Sequence, residues 1–122
     1  MAFNASILGC EGLSVTDWEK AFFRDSDPFG FILFARNIDT PEQLRQLTAD
    51  LREAVGRDAP ILIDQEGGRV ARMRAPHWRE WLPALDEVAA STDPVRSMYL
   101  RSRIMAQELL AVGIDADCAP VL

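Results

Sequence analysis

Short apolar runs recur along the chain and predict the strands of a buried sheet. The clearest run covers residues 29–34, Phe-Gly-Phe-Ile-Leu-Phe. A strand that is apolar on both faces is typical of a sheet covered on both sides. Runs of similar character cover residues 3–9, 61–64 and 114–119. The pattern therefore predicts four strands, separated by longer segments with a different spacing of apolar residues.

The first of these segments predicts a short helix that begins after Thr16. Thr16 fits an N-cap, and Glu19 three residues later fits the second half of a capping box. The helix is expected to run to about Arg24, before the break at residues 25–28. We expect its inner face to carry Trp18, Ala21 and Phe22.

The second segment predicts a longer helix between Thr40 and Gly56. Thr40 fits the N-cap, and Pro41 fits the first helical position, where no N–H is needed. Apolar side chains then recur at helical spacing: Leu44, Leu47, Leu51, Ala54 and Val55. Gly56 is expected to end the helix.

The third segment predicts an irregular stretch over residues 75–83, a short helix over 83–90 and a long helix. Asp93 and Pro94 repeat the start signal, and Gly113 is expected at the C-terminal cap. The expected apolar stripe of the long helix is Val95, Met98, Tyr99, Met105, Leu109 and Val112.

The alternation of strands and helices favours a parallel sheet with right-handed crossovers. We therefore expect an α/β fold and, more specifically, part of a (β/α)8 TIM-type barrel. Four strands with two apolar faces correspond to the first three to four β/α units. Residues 1–122 are accordingly expected to be the N-terminal part of such a domain, incomplete at the C-terminus.

Composition narrows the range of partners. The 122 residues carry a net charge of −6, and their apolar fraction of 48% is ordinary for a globular domain. An acidic chain without clustered basic residues argues against nucleic acid and against an anionic membrane surface. No apolar run approaches the roughly 18–20 residues of a membrane span, and the N-terminus lacks the features of a signal peptide. We therefore expect a cytoplasmic protein.

Two cysteines, Cys10 and Cys118, give neither a disulfide framework nor a zinc spacing. Each lies in an apolar, strand-like run, so we expect buried free thiols and a reducing compartment. No cofactor and no metal are expected.

Candidate chemistry is concentrated in residues 61–72. The predicted strand is followed directly by Asp64, Glu66, two glycines, Arg69 and Arg72. Ligands of α/β folds bind at the carboxyl ends of strands. We therefore expect these side chains to form part of a binding edge.

The carboxylates of Asp64 and Glu66 allow several roles. If the strand continues, both point the same way, with Cα atoms roughly 6–7 Å apart. This spacing permits acid/base chemistry, since glycosidase carboxylates act at about 5–9.5 Å. It also permits a divalent metal held by oxygen ligands. The simplest alternative is an ion pair with Arg69 or Arg72.

The neighbouring residues are less specific. Gly67 and Gly68 could expose backbone N–H groups to an anion, but their surroundings match no phosphate-binding motif, so a tight turn is favoured. Arg69 and Arg72 could orient a sugar or serve ordinary surface roles. A second pair of candidate rim residues follows residues 29–34: Arg36 and Asn37. A solvated turn is the alternative for that pair.

Aromatic residues lie in the following stretch. His77 has no nucleophile nearby in the sequence, so we expect a packed or solvent-facing loop residue. Trp78 and Trp81 could stack on a sugar, although packing on the helical layer is commoner. Of Asp115 and Asp117, one could point into the barrel.

Three blocks of the chain, in order, resemble the glycoside hydrolases of family 3. They are residues 31–37 (Phe-Ile-Leu-Phe-Ala-Arg-Asn), residues 63–70 with Arg72 (Ile-Asp-Gln-Glu-Gly-Gly-Arg-Val), and residues 113–115 with 119–122 (Gly-Ile-Asp and Ala-Pro-Val-Leu). Within the family, the blocks resemble bacterial β-N-acetylhexosaminidases of cell-wall recycling. The resemblance covers essentially all 122 residues.

The resemblance implies a (β/α)8-type barrel and a retaining, two-step removal of terminal β-linked N-acetylglucosamine from muropeptides. It implies that Asp64 binds hydroxyls of the non-reducing sugar and that Arg72 contacts the same sugar. Ala71 and Met73 stand where the family often has glutamine and phenylalanine. Neither difference removes a sugar contact.

The chain differs from the family pattern most importantly in its length. The family's acid/base histidine lies in a later Lys-His-Phe-Pro-Gly-His-Gly stretch, and its nucleophilic aspartate lies in a Ser-Asp-Asp segment. Neither stretch is present, and neither His77 nor Glu66 matches these residues. We therefore expect no catalytic residue in this chain, part of the sugar-binding rim and no turnover.

Two other functions stay open at this point. One is a non-catalytic half-barrel that binds sugar or assembles with another chain. The other is a metal-dependent enzyme using Asp64 and Glu66. Open strand edges invite pairing, so we also expect self-association.

Overall fold

A computed structural model describes residues 2–121 as a four-stranded parallel sheet with helices in the crossovers. The strands, in sheet order, are β1 (Asn4–Leu8), β2 (Pro28–Leu33), β3 (Ile61–Ile63) and β4 (Ala116–Asp117). The helices are α1 (Asp17–Ser26), α2 (Pro41–Val55), α3 (Ala84–Ala90) and α4 (Pro94–Ala111). A 3-10 turn, Ala35–Asn37, follows β2. The predicted parallel α/β architecture is confirmed.

The register of the sheet brings three strand ends together. Leu33 of β2 lies beside Ile63 of β3, and Ile63 lies beside Asp117 of β4. The residues that leave these strands therefore share one edge of the sheet. Asp64 follows β3 directly, so it lies at this edge.

The core fills the space between the sheet and α2. Phe31, Leu33, Ile61 and Ile63 are fully buried. The predicted stripe of α2 faces them: Leu44, Leu47, Leu51 and Ala54 are buried, and Val55 is partly buried. The caps are as predicted, because Thr40 Oγ1 accepts from the Gln43 N–H and Gly56 has a φ of 65°.

Helix α1 has the predicted capping box, but the prediction of its inner face is wrong. Glu19 and Phe23 are its buried residues, whereas Trp18 is 71% exposed and stacks on the exposed ring of Phe22. Ala21 is also exposed. The Glu19 carboxylate accepts from two loop N–H groups, those of Glu11 and Thr16. These bonds hold Glu19 on the inside and turn Trp18 outward.

The N-terminal half of α4 also differs from the prediction. Val95 is 83% exposed and Tyr99 is exposed, and between them Ser97 Oγ donates to the Glu87 carboxylate of α3. The buried stripe begins only at Arg101 and continues through Met105 and Leu109. The sequence pattern did not predict that this stripe would begin with a buried arginine.

Strand β4 is shorter than the predicted run over residues 114–119. Hydrogen bonds nevertheless continue on both sides of it, from Asp115 N–H to Ile61 O and from Cys118 N–H to Ile63 O. Both cysteines are free, as predicted, but only Cys10 is fully buried. Among the described residues, no helix has the length and apolar character needed to cross a membrane.

Candidate functional site

An ion pair stands at the carboxyl edge of β3. Arg72 Nη2 donates to Asp64 Oδ2 at 3.0 Å. The side chains are 28% and 25% exposed, respectively, so the pair is only partly shielded from solvent. The structure thus joins the two residues for which a sugar contact was expected, and the sequence-based alternative of an ion pair with Arg72 is present.

The guanidinium of Arg72 is held on more than one side. It lies over the ring of Phe34, 5.9 Å from the ring centroid. Its Nε is buried and has no hydrogen-bond partner within residues 2–121. Because an unpaired buried N–H is unfavourable, this orientation must be supported by the neighbouring contacts.

Gln65 provides the main support, and sequence reasoning missed it. Its side chain is fully buried. Its Oε1 accepts from the backbone N–H groups of Arg72 at 2.8 Å and Met73 at 3.1 Å, and its Nε2 donates to Met73 O at 2.8 Å. The amide therefore fixes the backbone that carries Arg72. The sequence did contain one signal for this role. Side chains alternate between the two faces of a strand, so the residue after Asp64 should point to the opposite face.

The two glycines form a tight turn. Gly67 has a φ of 100° and Gly68 a φ of 61°. The N–H groups of Glu66 and Gly67 both donate to Val70 O, and the Gly68 N–H donates to Trp81 O. These N–H groups are thus engaged within the protein, as in the tight-turn alternative, and do not form an anion cradle.

Burial alternates along the exit from β3. Ile63 and Gln65 are buried, whereas Asp64 and Glu66 are half-buried. The alternation continues although the assigned strand ends at Ile63, in line with the expected orientation of the two carboxylates. A cavity of about 460 Å³ lies beside Glu66 and is also lined by Asp117.

Asp117 is a third carboxylate at this edge. Its Oδ1 accepts from the Gln65 N–H at 3.0 Å. Burial raises the pKa of Asp117, and the negative charges of Asp64 and Glu66 raise it further, against the lowering effect of the Gln65 N–H. Burial and the nearby Asp64 likewise raise the pKa of the Cys118 thiol. Three carboxylates, those of Asp64, Glu66 and Asp117, therefore lie at this edge, and the guanidinium of Arg72 pairs with the first of them.

Asp115, the other aspartate considered from the sequence, has a different role. Its Oδ1 accepts from the Ile61 N–H at 2.7 Å, and its Oδ2 lies 3.4 Å from Arg52 Nη2. Ile61 begins β3, so Asp115 lies at the strand start and not at the candidate site.

Of the other predicted rim residues, Arg36 lies near Arg72, because both guanidinium groups approach the ring of Phe34. Arg36 is exposed, with its Nε donating to Cys10 O and its guanidinium 4.8 Å from the Phe34 ring centroid. Arg69 is exposed at the turn.

Asn37 is fully buried, so its expected place on the rim is corrected. Its Nδ2 donates to Gly12 O at 2.8 Å, and its Oδ1 accepts from the Phe34 N–H at 2.9 Å. These bonds close the loop after β1 and leave the amide no position at the surface.

The aromatic residues have mainly packing roles. Trp78 is buried in the core cluster, and exposed His77 lies edge-on against it at 5.7 Å. Trp81 is partly buried, with the guanidinium of Arg101 5.4 Å from its ring. Within residues 2–121, no three His, Cys, Asp or Glu side chains lie close enough together to hold a metal ion.

Comparison with known proteins shows the family to which the chain belongs. The model of the "Glycosyl hydrolase family 3 N terminal domain" matches residues 12–122. A β-hexosaminidase of Stenotrophomonas maltophilia is 36% identical over 121 residues, which cover 95% of this chain. One of Pseudomonas aeruginosa is 38% identical over 116 residues. The chain spans only 36% and 34% of these relatives, respectively.

Solved structures share the fold of this chain. NagZ from Neisseria gonorrhoeae, in complex with N-trifluoroacetyl-D-glucosamine, superposes with a TM-score of 0.83 at 29% identity, covering 97% of this chain and 35% of that one. A family 3 β-N-acetylglucosaminidase from Paenibacillus gives a TM-score of 0.78 at 29% identity, covering 93% and 22%. Together with the strand order, these matches confirm the expected first part of a (β/α)8 barrel.

Proposed function

Because this chain belongs to glycosyl hydrolase family 3 through its N-terminal domain, we propose that it forms the sugar-binding part of a β-N-acetylhexosaminidase. The observation that carries the proposal is the partly exposed ion pair of Asp64 and Arg72 at the carboxyl edge of β3. Residues 1–122 would be the N-terminal part of that barrel domain.

The ion pair is suited to hydroxyl recognition. An ionised carboxylate accepts hydrogen bonds from neighbouring hydroxyls, and bonds to charged groups are the stronger ones. Arg72 holds Asp64 in one orientation and offers its remaining N–H donors to the same sugar. Arg36, Glu66 and Arg69 would complete the rim.

The proposed substrate is a terminal β-linked N-acetylglucosamine on a peptidoglycan fragment, as in cell-wall recycling. Support comes from the β-hexosaminidase relatives and from the N-acetylglucosamine analogue named for the Neisseria structure. A glucosamine derivative presents vicinal hydroxyls at one end, which suits a carboxylate beside a guanidinium.

The proposed reaction is a retaining hydrolysis, which needs a nucleophile and a proton donor on opposite sides of the glycosidic bond. The carboxylate of Asp64 is paired with the guanidinium of Arg72. The sole histidine, His77, is exposed and lies against Trp78. We propose that the residues of this chain contribute orientation, which is worth several kcal/mol in such reactions. The 122 residues alone would bind sugar without hydrolysing it.

Calorimetric titration with N-acetylglucosamine tests the binding role. Asp64→Asn and Arg72→Met are each expected to weaken binding about tenfold or more. Arg45→Met is the matched control, since Arg45 lies on α2 in an exposed pair with Glu42. Equal affinity in all four proteins would contradict the proposal.

Hydrolysis of a chromogenic β-N-acetylglucosaminide by the wild-type chain tests whether these 122 residues bind sugar without hydrolysing it. No turnover is expected. Turnover that Asp64→Ala abolishes would assign chemistry to Asp64 or Glu66 and overturn this part. Sugar binding without turnover would also fit the alternative of a non-catalytic sugar-binding module, and activity of a longer protein that includes this chain separates the two.

We also propose that the chain self-associates. β1 and β4 are the outer strands of the sheet among the described residues, and Phe3 and Ile7 are exposed apolar residues at β1. Exposed edges of this kind favour pairing with another chain. Sedimentation velocity at micromolar concentration should show an oligomer; a monomer would contradict this.

The proposed compartment is the cytoplasm, because both cysteines are free thiols. Thiol titration of the protein isolated from its own cells should find two reduced cysteines. A disulfide-linked species would contradict this assignment.

A further inference from the structure

Arg101 connects the turn of the candidate site to α4. It is 4% exposed, which is rare for an arginine. Its Nη2 donates to Glu66 O at 2.7 Å, across 35 residues of sequence. Its Nη1 donates to Leu82 O at 2.7 Å, and its guanidinium lies over the ring of Trp81. One side chain thus holds two segments that are distant in the sequence.

Glu87 on α3 balances the buried charge. Its carboxylate accepts from Arg101 and from Ser97 Oγ. Burial raises the pKa of Glu87, but the hydrogen bonds from Arg101 and Ser97 and the Arg101 charge outweigh burial, so the pKa lies below its ordinary value. Glu87 is therefore ionised at neutral pH, as a buried arginine requires of its partner.

The turn packs directly against this arrangement. A Cβ on Gly67 would lie 2.7 Å from Leu82 O and would also collide with Arg101 Nη2. The Gly68 N–H donates to Trp81 O at 2.7 Å. The turn is therefore fitted closely to Arg101 and to the segment that Arg101 holds.

On the solvent side, a second arginine holds the same turn. Arg74 Nη2 donates to Gly68 O at 2.9 Å and to Arg69 O at 3.0 Å. Arg74 is exposed and Arg101 is buried, so Arg101 is the anchor less weakened by water.

We propose that Arg101 is a positioning residue for sugar binding: by holding the Glu66 carbonyl, it fixes the turn that carries the chain from Asp64 to Arg72. The inference rests on the proposed function, because that turn sets the distance between the two sugar-binding side chains. A guanidinium is needed, since its planar fork reaches Glu66 O, Leu82 O and the Glu87 carboxylate at once. A lysine ammonium lacks this fork.

Amide hydrogen exchange followed by NMR tests whether Arg101 fixes the turn. In Arg101→Lys, the N–H groups of Gly67 and Gly68 should exchange at least about tenfold faster than in the wild type. The Phe31 N–H, which donates to Pro60 O within the sheet, should keep its rate. Arg103→Lys is the matched control, since exposed Arg103 contacts only Tyr99 Oη in the described hydrogen-bond network. Unchanged exchange at the two glycines would overturn the proposal.

Sugar affinity tests whether this effect of Arg101 on the turn supports sugar binding. Arg101→Lys should weaken N-acetylglucosamine binding about tenfold, and Arg103→Lys should leave it unchanged. For Arg101→Ala, millimolar guanidinium chloride, far below denaturing concentrations, should restore part of the affinity, and sodium chloride should not. Faster exchange with unchanged affinity would make Arg101 merely structural and overturn the positioning role.

Two further outcomes are decisive. If Arg101→Lys does not fold, Glu87→Gln replaces it, because this variant keeps Arg101 but removes its charged partner. Glu87→Gln should then show smaller changes in glycine exchange and sugar affinity in the same direction. Exchange and affinity equal to those of the wild type would overturn the proposal. If the wild-type chain binds no sugar, the proposed function fails and the positioning role fails with it. In that case glycine exchange still decides whether Arg101 fixes the turn.

Discussion

Arg72 Nη2 lies 3.0 Å from Asp64 Oδ2, and this contact joins the exit of β3 to the segment that returns beside it. Both side chains are about three-quarters buried, so water weakens their attraction only partly. The pair therefore contributes to the free energy of unfolding as well as to the proposed sugar site.

A double-mutant cycle measures that contribution. With Asp64→Asn and Arg72→Gln, the expected coupling is about 1 kcal/mol by urea unfolding. The exposed pair of Glu42 and Arg45 on α2 is the comparison, with a coupling near zero. Equal couplings for the two pairs would contradict the partial shielding of Asp64 and Arg72.

Gln65 should be one of the most sensitive polar residues. Gln65→Leu removes the partners of the Arg72 N–H, the Met73 N–H and Met73 O, and is expected to lower the free energy of unfolding by about 2–4 kcal/mol. Gln46→Leu is the control, because exposed Gln46 bonds only to Asp50 in the described network. Its effect should stay within about 0.5 kcal/mol. Similar urea midpoints for both variants would contradict the role of Gln65.

Gly67 should tolerate no side chain. Gly67→Ala combines a φ of 100° with contact against Leu82 O, and is expected to cost at least about 2 kcal/mol. Gly12→Ala is the control, since no neighbouring heavy atom lies within 4 Å of an added Cβ there. Thermal unfolding should show a much lower midpoint only for Gly67→Ala. Matching midpoints would mean that the turn is not packed as described.

Much of the architecture could be predicted because its signals are local. The N-cap residues Thr16 and Thr40 and the glycine at position 56 act on backbone within one turn, so the sequence pattern locates helix ends well. The apolar strands were recognisable for the same reason. The edge bearing Asp64 and Glu66 followed from the end of a strand.

Several of the errors have a common physical origin in hydrogen bonds made by buried polar side chains. Asn37 looked like a rim residue, but its amide is used by Gly12 O, 25 residues earlier. Trp18 looked like core, but Glu19 takes the inner face through its bonds to the preceding loop. Arg101 is buried because Glu66 O and Leu82 O accept from it. Hydrophobic periodicity contains no signal for such polar pairings.

Asp117 should make stability depend on pH in a defined direction. Burial, with Asp64 and Glu66 nearby, raises its pKa in the folded state. The folded state therefore binds the proton more tightly, so stability falls as the pH rises from about 3.9, the pKa in the unfolded chain, through the raised pKa. Asp117→Asn keeps an acceptor for the Gln65 N–H and should be more stable than the wild type at pH 7.

Urea unfolding at several pH values checks this prediction. The advantage of Asp117→Asn should shrink as the pH falls through the raised pKa of the folded state, and it should be lost below about 3.9, where the wild-type carboxyl becomes protonated in both states. Asp58→Asn, at a 93% exposed side chain, should change stability by no more than about 0.5 kcal/mol at any pH. A constant advantage of Asp117→Asn at all pH values would contradict the electrostatic explanation.

Sugar binding by Asp64 and Arg72 can be observed residue by residue. The most direct measurement is an NMR titration of the isotopically labelled chain with N-acetylglucosamine, read at each backbone amide. We expect saturable shifts concentrated at residues 64–72, and these shifts should disappear in Asp64→Asn while its other resonances stay unchanged. Shifts concentrated elsewhere, or unaltered in Asp64→Asn, would contradict it.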